Sequence, residues 1–226
     1  DILGFLGPNG AGKSTTMRML TGNLAPHHGS IRINGYDLMD QPMQAKQQLG
    51  FLPEHPPLYR DLTVTEYLAY CARLHRVASA EIADKVELAM RRCDLLEVRT
   101  RLIRNLSKGF QQRVGIAQAI LHQPAVIILD EPTVGLDPIQ IMDIRTLIAE
   151  LGENHGIILC THILPEVQAV CNRVQIINRG SIVYRAEPGQ NEDAAMTQYR
   201  ITLSPGETDR VMQDQSLFNV VDRIAP

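Results

Sequence analysis

The sequence is 226 residues long, 44% hydrophobic and 21% charged, the balance of a globular chain with enough apolar material for a sizeable core. Its net charge of −3 leaves no electrostatic footprint for nucleic acid, and no apolar run approaches the length that crosses a bilayer. Four cysteines, Cys71, Cys93, Cys160 and Cys171, are widely spaced without a C-x-x-C pair. They predict buried thiols in preference to metal ligands, with a reducing cytosol as the simplest compartment.

The first element is "ILGFL", an apolar run that reads as a buried strand, followed at once by "GPNGAGKSTT". "TTMRMLTG" then reads as a helix ending at Gly22. A strand, a glycine-rich turn and a helix N-terminus make an anion site: glycines let backbone N–H groups converge, and the helix dipole adds partial positive charge. The spacing fits G-x-x-x-x-G-K-[ST], with Gly7, Gly12, Lys13 and Ser14 in the fixed places and Pro8, Asn9, Gly10 and Ala11 between them. Lys13 is expected on the β- and γ-phosphates of a nucleotide and the Ser14 hydroxyl on Mg²⁺. Thr15 and Thr16 extend the polar first turn.

Residues 30 to 38, "SIRINGYDL", predict a hairpin turning at Asn34-Gly35, and "LGFL" at 49 to 52 predicts a short buried strand stopped by Pro53. A helix is expected from Thr63, where T-V-T-E is a capping box, with Val64, Tyr67, Leu68, Cys71 and Leu74 facing inward. A second helix carries Ile82, Val86, Ala89, Met90 and Cys93. With no strand between these two helices, residues 54 to about 106 read as a helical insertion.

Alternation returns afterwards. "FQQRVGIAQAILHQ" is a predicted helix, "AVIILD" a buried strand, and "DPIQIMDIRTLIAELGEN" a helix with Pro138 in its first turn and Ile141, Ile144, Ile148 and Leu151 inward. "GIILCTH" is another strand, and "RVQIINRGSIVYRA" a hairpin turning at Arg179-Gly180. The pattern predicts an α/β fold: a P-loop NTPase core with a mostly parallel sheet, an antiparallel β portion and the helical insertion. Residues 188 to 197 read as a polar linker, and the remainder to 226 as a strand, helix and strand of a small accessory unit. The phosphate loop comes almost at the first residue, and "VVDRIAP" closes the sequence like an unfinished strand, so a fragment at both ends is expected.

Further chemistry gathers in four places. "VIILDE" presents Asp130 at the carboxyl end of a strand, where it can hold Mg²⁺, followed by Glu131, a candidate general base; a helix cap is the alternative. "LSKGFQQR" is a second small-polar-glycine turn opening a helix, readable as a phosphate cradle at Ser107 and Gly109 or as a plain cap by Ser107. His162, after "IILCT", is placed to touch a γ-phosphate or to be a structural histidine. Asp137 in "GLDP" reads by itself as a helix cap, and Glu54 after "GFLP" as a surface acid.

Taken in order, "GPNGAGKST", "LPE", "LSKGFQQR", "VIILDEPTVGLDP" and "CTH" resemble the ATP-binding subunit of an ABC transporter over residues 1 to about 186. The resemblance implies a Walker A loop from Gly7 to Thr15, a Q-loop position at Glu54, a signature from Leu106 to Phe110, a Walker B aspartate at Asp130, a catalytic glutamate at Glu131, a D-loop from Gly135 to Asp137 and a switch histidine at His162. Glu131, His162 and Lys13 are then the catalytic set; Ser14, Asp130 and Glu54 the metal set; and the Walker A residues with Ser107, Gly109 and Asp137 the nucleotide set. It also implies two subunits closing head to tail on two ATP molecules, each signature facing the other subunit's Walker A loop, with integral membrane subunits as partners, a peripheral place on the cytoplasmic face of the membrane, and no nucleic acid.

Three departures stand out. Phe110 and Lys108 replace the family's usual glutamine and glycine, and Glu54 replaces a glutamine. The family's adenine-stacking aromatic lies upstream of the first strand, so no residue here is assigned to it. "LPEHPPLY" and "LSKGFQQR" resemble the ABC-2 exporter, gliding and copper-site-maturation branch. The rival class is an ABC ATPase that works on DNA or ribosomes. Such proteins share these motifs but carry coiled-coil insertions, paired cassettes or basic tracts, and none is present in this sequence.

Overall fold

The computed structural model describes residues 1–186; the linker and accessory unit expected from 188 onward lie outside the described residues. Strands β1 (Ile2–Leu6), β4 (Leu49–Leu52), β5 (Val126–Asp130), β6 (Gly156–Thr161), β7 (Arg173–Asn178) and β8 (Ser181–Ala186) form one sheet in the order β4-β5-β6-β1-β7-β8. All neighbours pair in parallel except β7 with β8, which form the antiparallel hairpin turned by Arg179-Gly180.

The apolar runs have no polar alternation because both faces of the sheet are covered. In β5, Ile127 and Leu129 join a core with Ile116, Ile144 and Ile148, whereas Ile128 joins another with Phe5, Met17 and Ile177. Side chains alternate across a strand, so these cores lie on opposite faces. Helix α1 (Lys13–Leu20) contributes Met17 to the second core; α5 (Lys108–Ile120) and α6 (Pro138–Gly152) supply the first.

The small hairpin β2 (Arg32–Ile33) and β3 (Tyr36–Asp37) turns where predicted, with φ of 47° at Asn34 and 86° at Gly35, the doubly positive geometry of a two-residue turn. Between β4 and α5 the chain is helical: α3 (Val64–Leu74), α4 (Ile82–Arg92) and short 3-10 turns. Thr63 and Glu66 satisfy each other's backbone donors in the predicted capping box. Leu74, expected to face inward, is 63% exposed, because α3 runs past the core in its last turn. Two short helices were not foreseen, α2 (Pro42–Gln47) and α7 (Leu164–Val170). Three cysteines are buried and free, with Cys171 half-buried; burial pushes the Cys71 thiol up to about 11. Among the described residues no helix is long and apolar enough to cross a membrane.

Candidate functional site

Because β4, β5, β6 and β1 are adjacent and parallel, their carboxyl ends lie along one edge of the sheet, where ligands bind in open α/β folds. Four loops leave from that edge: 7–12 after β1, Pro53-Glu54 after β4, Glu131 after β5 and His162 after β6.

The 7–12 loop is shaped by glycines that no other residue replaces without disturbance. A Cβ on Gly7 would lie 2.5 Å from the Ile177 carbonyl oxygen, and Gly10 and Gly12 hold φ of 78° and 108°. The Gly180 N–H donates to the Ala11 carbonyl at 2.8 Å and pins the loop to the β7–β8 turn. Helix α1 starts directly from the loop with no side-chain cap and no acid in its first turn, which leaves its N-terminal N–H groups for an anion. Lys13 is 7% exposed, and its Nζ donates to the Gly7 carbonyl at 2.7 Å. Ser14 and Thr15 are exposed on that turn, as are Asn9 and Gly10 in the loop.

Asp130 and Glu131 are both buried at the end of β5. Burial pushes the Asp130 carboxyl above the usual carboxylate range; a hydrogen bond from the Cys160 thiol opposes this, the charge of Glu54 adds to it, and Lys13 opposes it. Glu131 holds φ of 50°, unusual for a non-glycine residue, with its N–H donating to the Cys160 carbonyl at 2.8 Å. That turn aims its carboxylate across the edge. Oε1 lies 2.8 Å from His162 Nδ1 and 3.8 Å from Lys13 Nζ, and Oε2 accepts from the Thr161 hydroxyl at 3.2 Å. The structure therefore brings together Lys13, Asp130, Glu131 and His162, with Glu54 close enough to act on Asp130.

Ser107, Gly109 and Asp137 form a second group. Ser107 caps α5 by accepting from the Phe110 N–H at 3.3 Å, and Asp137 caps α6 by accepting from the Gln140 N–H at 2.9 Å. Gly109 is buried against the Gln140 side chain, and Lys108 Nζ lies where a Cβ on Gly135 would stand. The two turns thus pack on each other. No hydrogen bond or ion pair among the described residues joins them to Lys13, Asp130 or Glu131.

Three residues at the site escaped the reading of the sequence. Behind Glu131, Glu166 is 1% exposed and accepts hydrogen bonds from Thr133 and from Thr161, the latter at 2.8 Å. "PEV" carries no local signal for this; a glutamate in a short helix reads as solvated.

The ABC transporter family model matches residues 1–134, more than half of the chain. YdbJ of Bacillus subtilis, an ABC transporter ATP-binding protein, is 39% identical over 210 residues, covering 92% of this chain and 67% of its own. The ABC transporter ATP-binding protein NatA of the same species is 38% identical, covering 82% and 76%. BcrA of Bacillus licheniformis, a bacitracin transport ATP-binding protein, is 39% identical, covering 81% and 60%, so the chain spans only part of these relatives. A solved ATP-binding subunit of an ABC transporter superposes with a TM-score of 0.73 at 34% identity, over 83% of this chain and 78% of that one. On sequence and fold together, the chain belongs to the ATP-binding subunits of ABC transporters, a family of ATPases.

Proposed function

We propose that two copies of this subunit close head to tail on ATP, that hydrolysis reopens them, and that the motion drives transport through membrane subunits on whose cytoplasmic face the subunits sit. The observation that carries the hydrolytic part is the convergence of Glu131 Oε1 with His162 Nδ1 at 2.8 Å and Lys13 Nζ at 3.8 Å beside the phosphate loop. The loop N–H groups and Lys13 bind the β- and γ-phosphates. Glu131 takes a proton from a water whose oxygen bonds to the γ-phosphorus as the bond to the bridging oxygen breaks and ADP leaves. His162 orients the Glu131 carboxylate and the γ-phosphate.

Mg²⁺ fits the residues present. Ser14, Asp130 and Glu54 offer hard oxygen donors, and a cation relieves the burial and like-charge cost at Asp130. Bound with nucleotide, the ion neutralises phosphate charge. Among the described residues no three His, Cys, Asp or Glu side chains gather as a metal site.

Ser107 and Gly109 are the elements proposed to meet the second copy's nucleotide. Both stand at the start of α5, a helix N-terminus apart from the phosphate loop, and one nucleotide needs only one such cradle from each chain. The helical segment between β4 and α5, rooted at Glu54, is proposed to face the membrane subunits. Calorimetry of the full chain with ATP and magnesium, paired with phosphate release, tests the reading; a folded full chain that binds no ATP refutes it.

A further inference from the structure

Resting on the ATPase reading above, we infer that Glu166 is a positioning residue for Glu131 and acts through the hydroxyl of Thr161. The Thr161 oxygen stands between two carboxylates, 2.8 Å from Glu166 Oε2 and 3.2 Å from Glu131 Oε2, and it also accepts from the Ile163 N–H at 3.1 Å. A hydroxyl has one proton to give and two lone pairs to offer. That proton lies between the two carboxylates, nearer Glu166, and Ile163 occupies one lone pair, so the hydroxyl bridges Glu166 to Glu131.

Glu166 is held to this task. It is 1% exposed, and its other oxygen, Oε1, accepts from the Thr133 hydroxyl, so its carboxylate cannot swing away to water. Thr133 itself is 3% exposed and sits two residues after Glu131 in the same loop. The carboxylate thus ties that loop to α7 and fixes the rotor of Thr161.

The consequence falls on the Glu131 oxygens unequally. Oε1 faces the cationic side of the site, His162 and Lys13, while Oε2 is held by the Thr161 hydroxyl. The bridge therefore fixes the rotation of the carboxylate and keeps Oε1 turned toward His162 and Lys13, an orientation that matters to the chemical step more than to substrate binding.

Replacing Glu166 by glutamine puts an N–H donor within reach of Thr161. The amide has one acceptor oxygen where the carboxylate had two, so it cannot accept from Thr133 and Thr161 at opposite ends; Thr161 is no longer held in place and its hold on Glu131 Oε2 loosens. Replacing Thr161 by valine removes the bridging hydroxyl while keeping the shape; serine keeps the hydroxyl.

The test measures kcat and KM for ATP with magnesium in the full chain, with kcat referred to the folded fraction from melting curves, for wild type, Thr161→Val, Thr161→Ser, Glu166→Gln and the Thr161→Val/Glu166→Gln pair. Expected is a fall in kcat of about tenfold or more in Thr161→Val and in Glu166→Gln with KM within about twofold, near wild-type kcat in Thr161→Ser, and a double variant no slower than the worse single. A kcat per folded molecule within about twofold of wild type in Glu166→Gln overturns the assignment, as do two losses that multiply in the double variant. Should Thr161→Val not fold, Glu166→Gln decides by the same kcat criterion. A wild-type chain that hydrolyses nothing instead defeats the ATPase reading, and the two failures are told apart by that control.

Discussion

The imidazole of His75 lies flat on that of His122, with ring centroids 3.8 Å apart and planes 8° from parallel. His75 ends α3 and His122 follows α5, while His122 Nε2 reaches the Leu49 carbonyl at the start of β4 at 3.1 Å. The stack thus joins the helical segment to the sheet. Burial lowers both imidazoles from their ordinary value of 6.5. His122 falls to about 4, mainly by burial and then by the neighbouring His75, with the Leu49 carbonyl opposing and Lys85 adding a smaller push downward. A histidine whose folded value is lowered contributes stability that is present above the unfolded value and is lost as pH falls toward the folded one. The window is therefore from about 6.5 down to about 4, and the loss through His122 is about 3 kcal/mol. Denaturant unfolding across that range should show this decline in the wild type and a flatter profile in His122→Asn; parallel profiles would exclude the stack as its source.

Glu131→Gln should keep ATP affinity and slow turnover by about 10²- to 10⁴-fold, because the amide cannot take the proton of the attacking water. Closed dimers should accumulate with ATP on size exclusion. Turnover at the wild-type rate would remove Glu131 from the role of base.

Ser107→Arg should abolish ATP-dependent dimerisation while the single chain still binds nucleotide, since Ser107 is exposed at the start of α5 and, in the dimer proposed above, an arginine there would fill the space of the second copy's phosphate. Loss of the cap on the Phe110 N–H adds about 1 kcal/mol of destabilisation, which a melting curve separates from the effect on association. Light scattering that still shows ATP-dependent dimers would reject a shared pocket.

Two alanine substitutions in the phosphate loop should behave differently. At Gly7 the new methyl meets the Ile177 carbonyl oxygen at 2.5 Å and the Ile177 side chain at 2.8 Å, so β1 and β7 must part or the loop must shift. At Gly10 nothing lies within 4 Å, and the cost is only that of φ at 78°, about 1–2 kcal/mol. Gly7→Ala should therefore lose more in melting temperature and in ATP affinity, both read on the same samples by thermal shift with and without nucleotide. Equal losses would contradict the close approach seen at Gly7.

Local signals in the sequence carried the elements well where a residue's own chemistry decides its conformation. Asn34-Gly35 demands the doubly positive turn, Thr63 and Glu66 can satisfy only each other's helix end, and the unbroken "VIILD" needs a sheet covered on both faces. Where the outcome depends on distant chain the signal fails. Helix α2 buries only Ala45 and so shows no apolar stripe, and Leu74 keeps the helical period although the core has already ended beneath it. At the site, Lys13, Asp130, Glu131 and His162 were legible because each follows a recognisable strand or loop. Glu166 was not, because its partners Thr133 and Thr161 lie 33 and 5 residues away and meet it only through the fold.

The order of the strands has a consequence for how such a machine can vary. Parallel neighbours stand about 4.8 Å apart whatever chain connects them, so the sheet acts as a ruler on which Glu54, Asp130, His162 and the phosphate loop are graduations. The α3–α4 part of the segment between β4 and α5, proposed above to face the membrane subunits, can be lengthened or recharged while the chemical row keeps its pitch. On that proposal, the chemistry and its coupling to a partner are free to diverge at different rates.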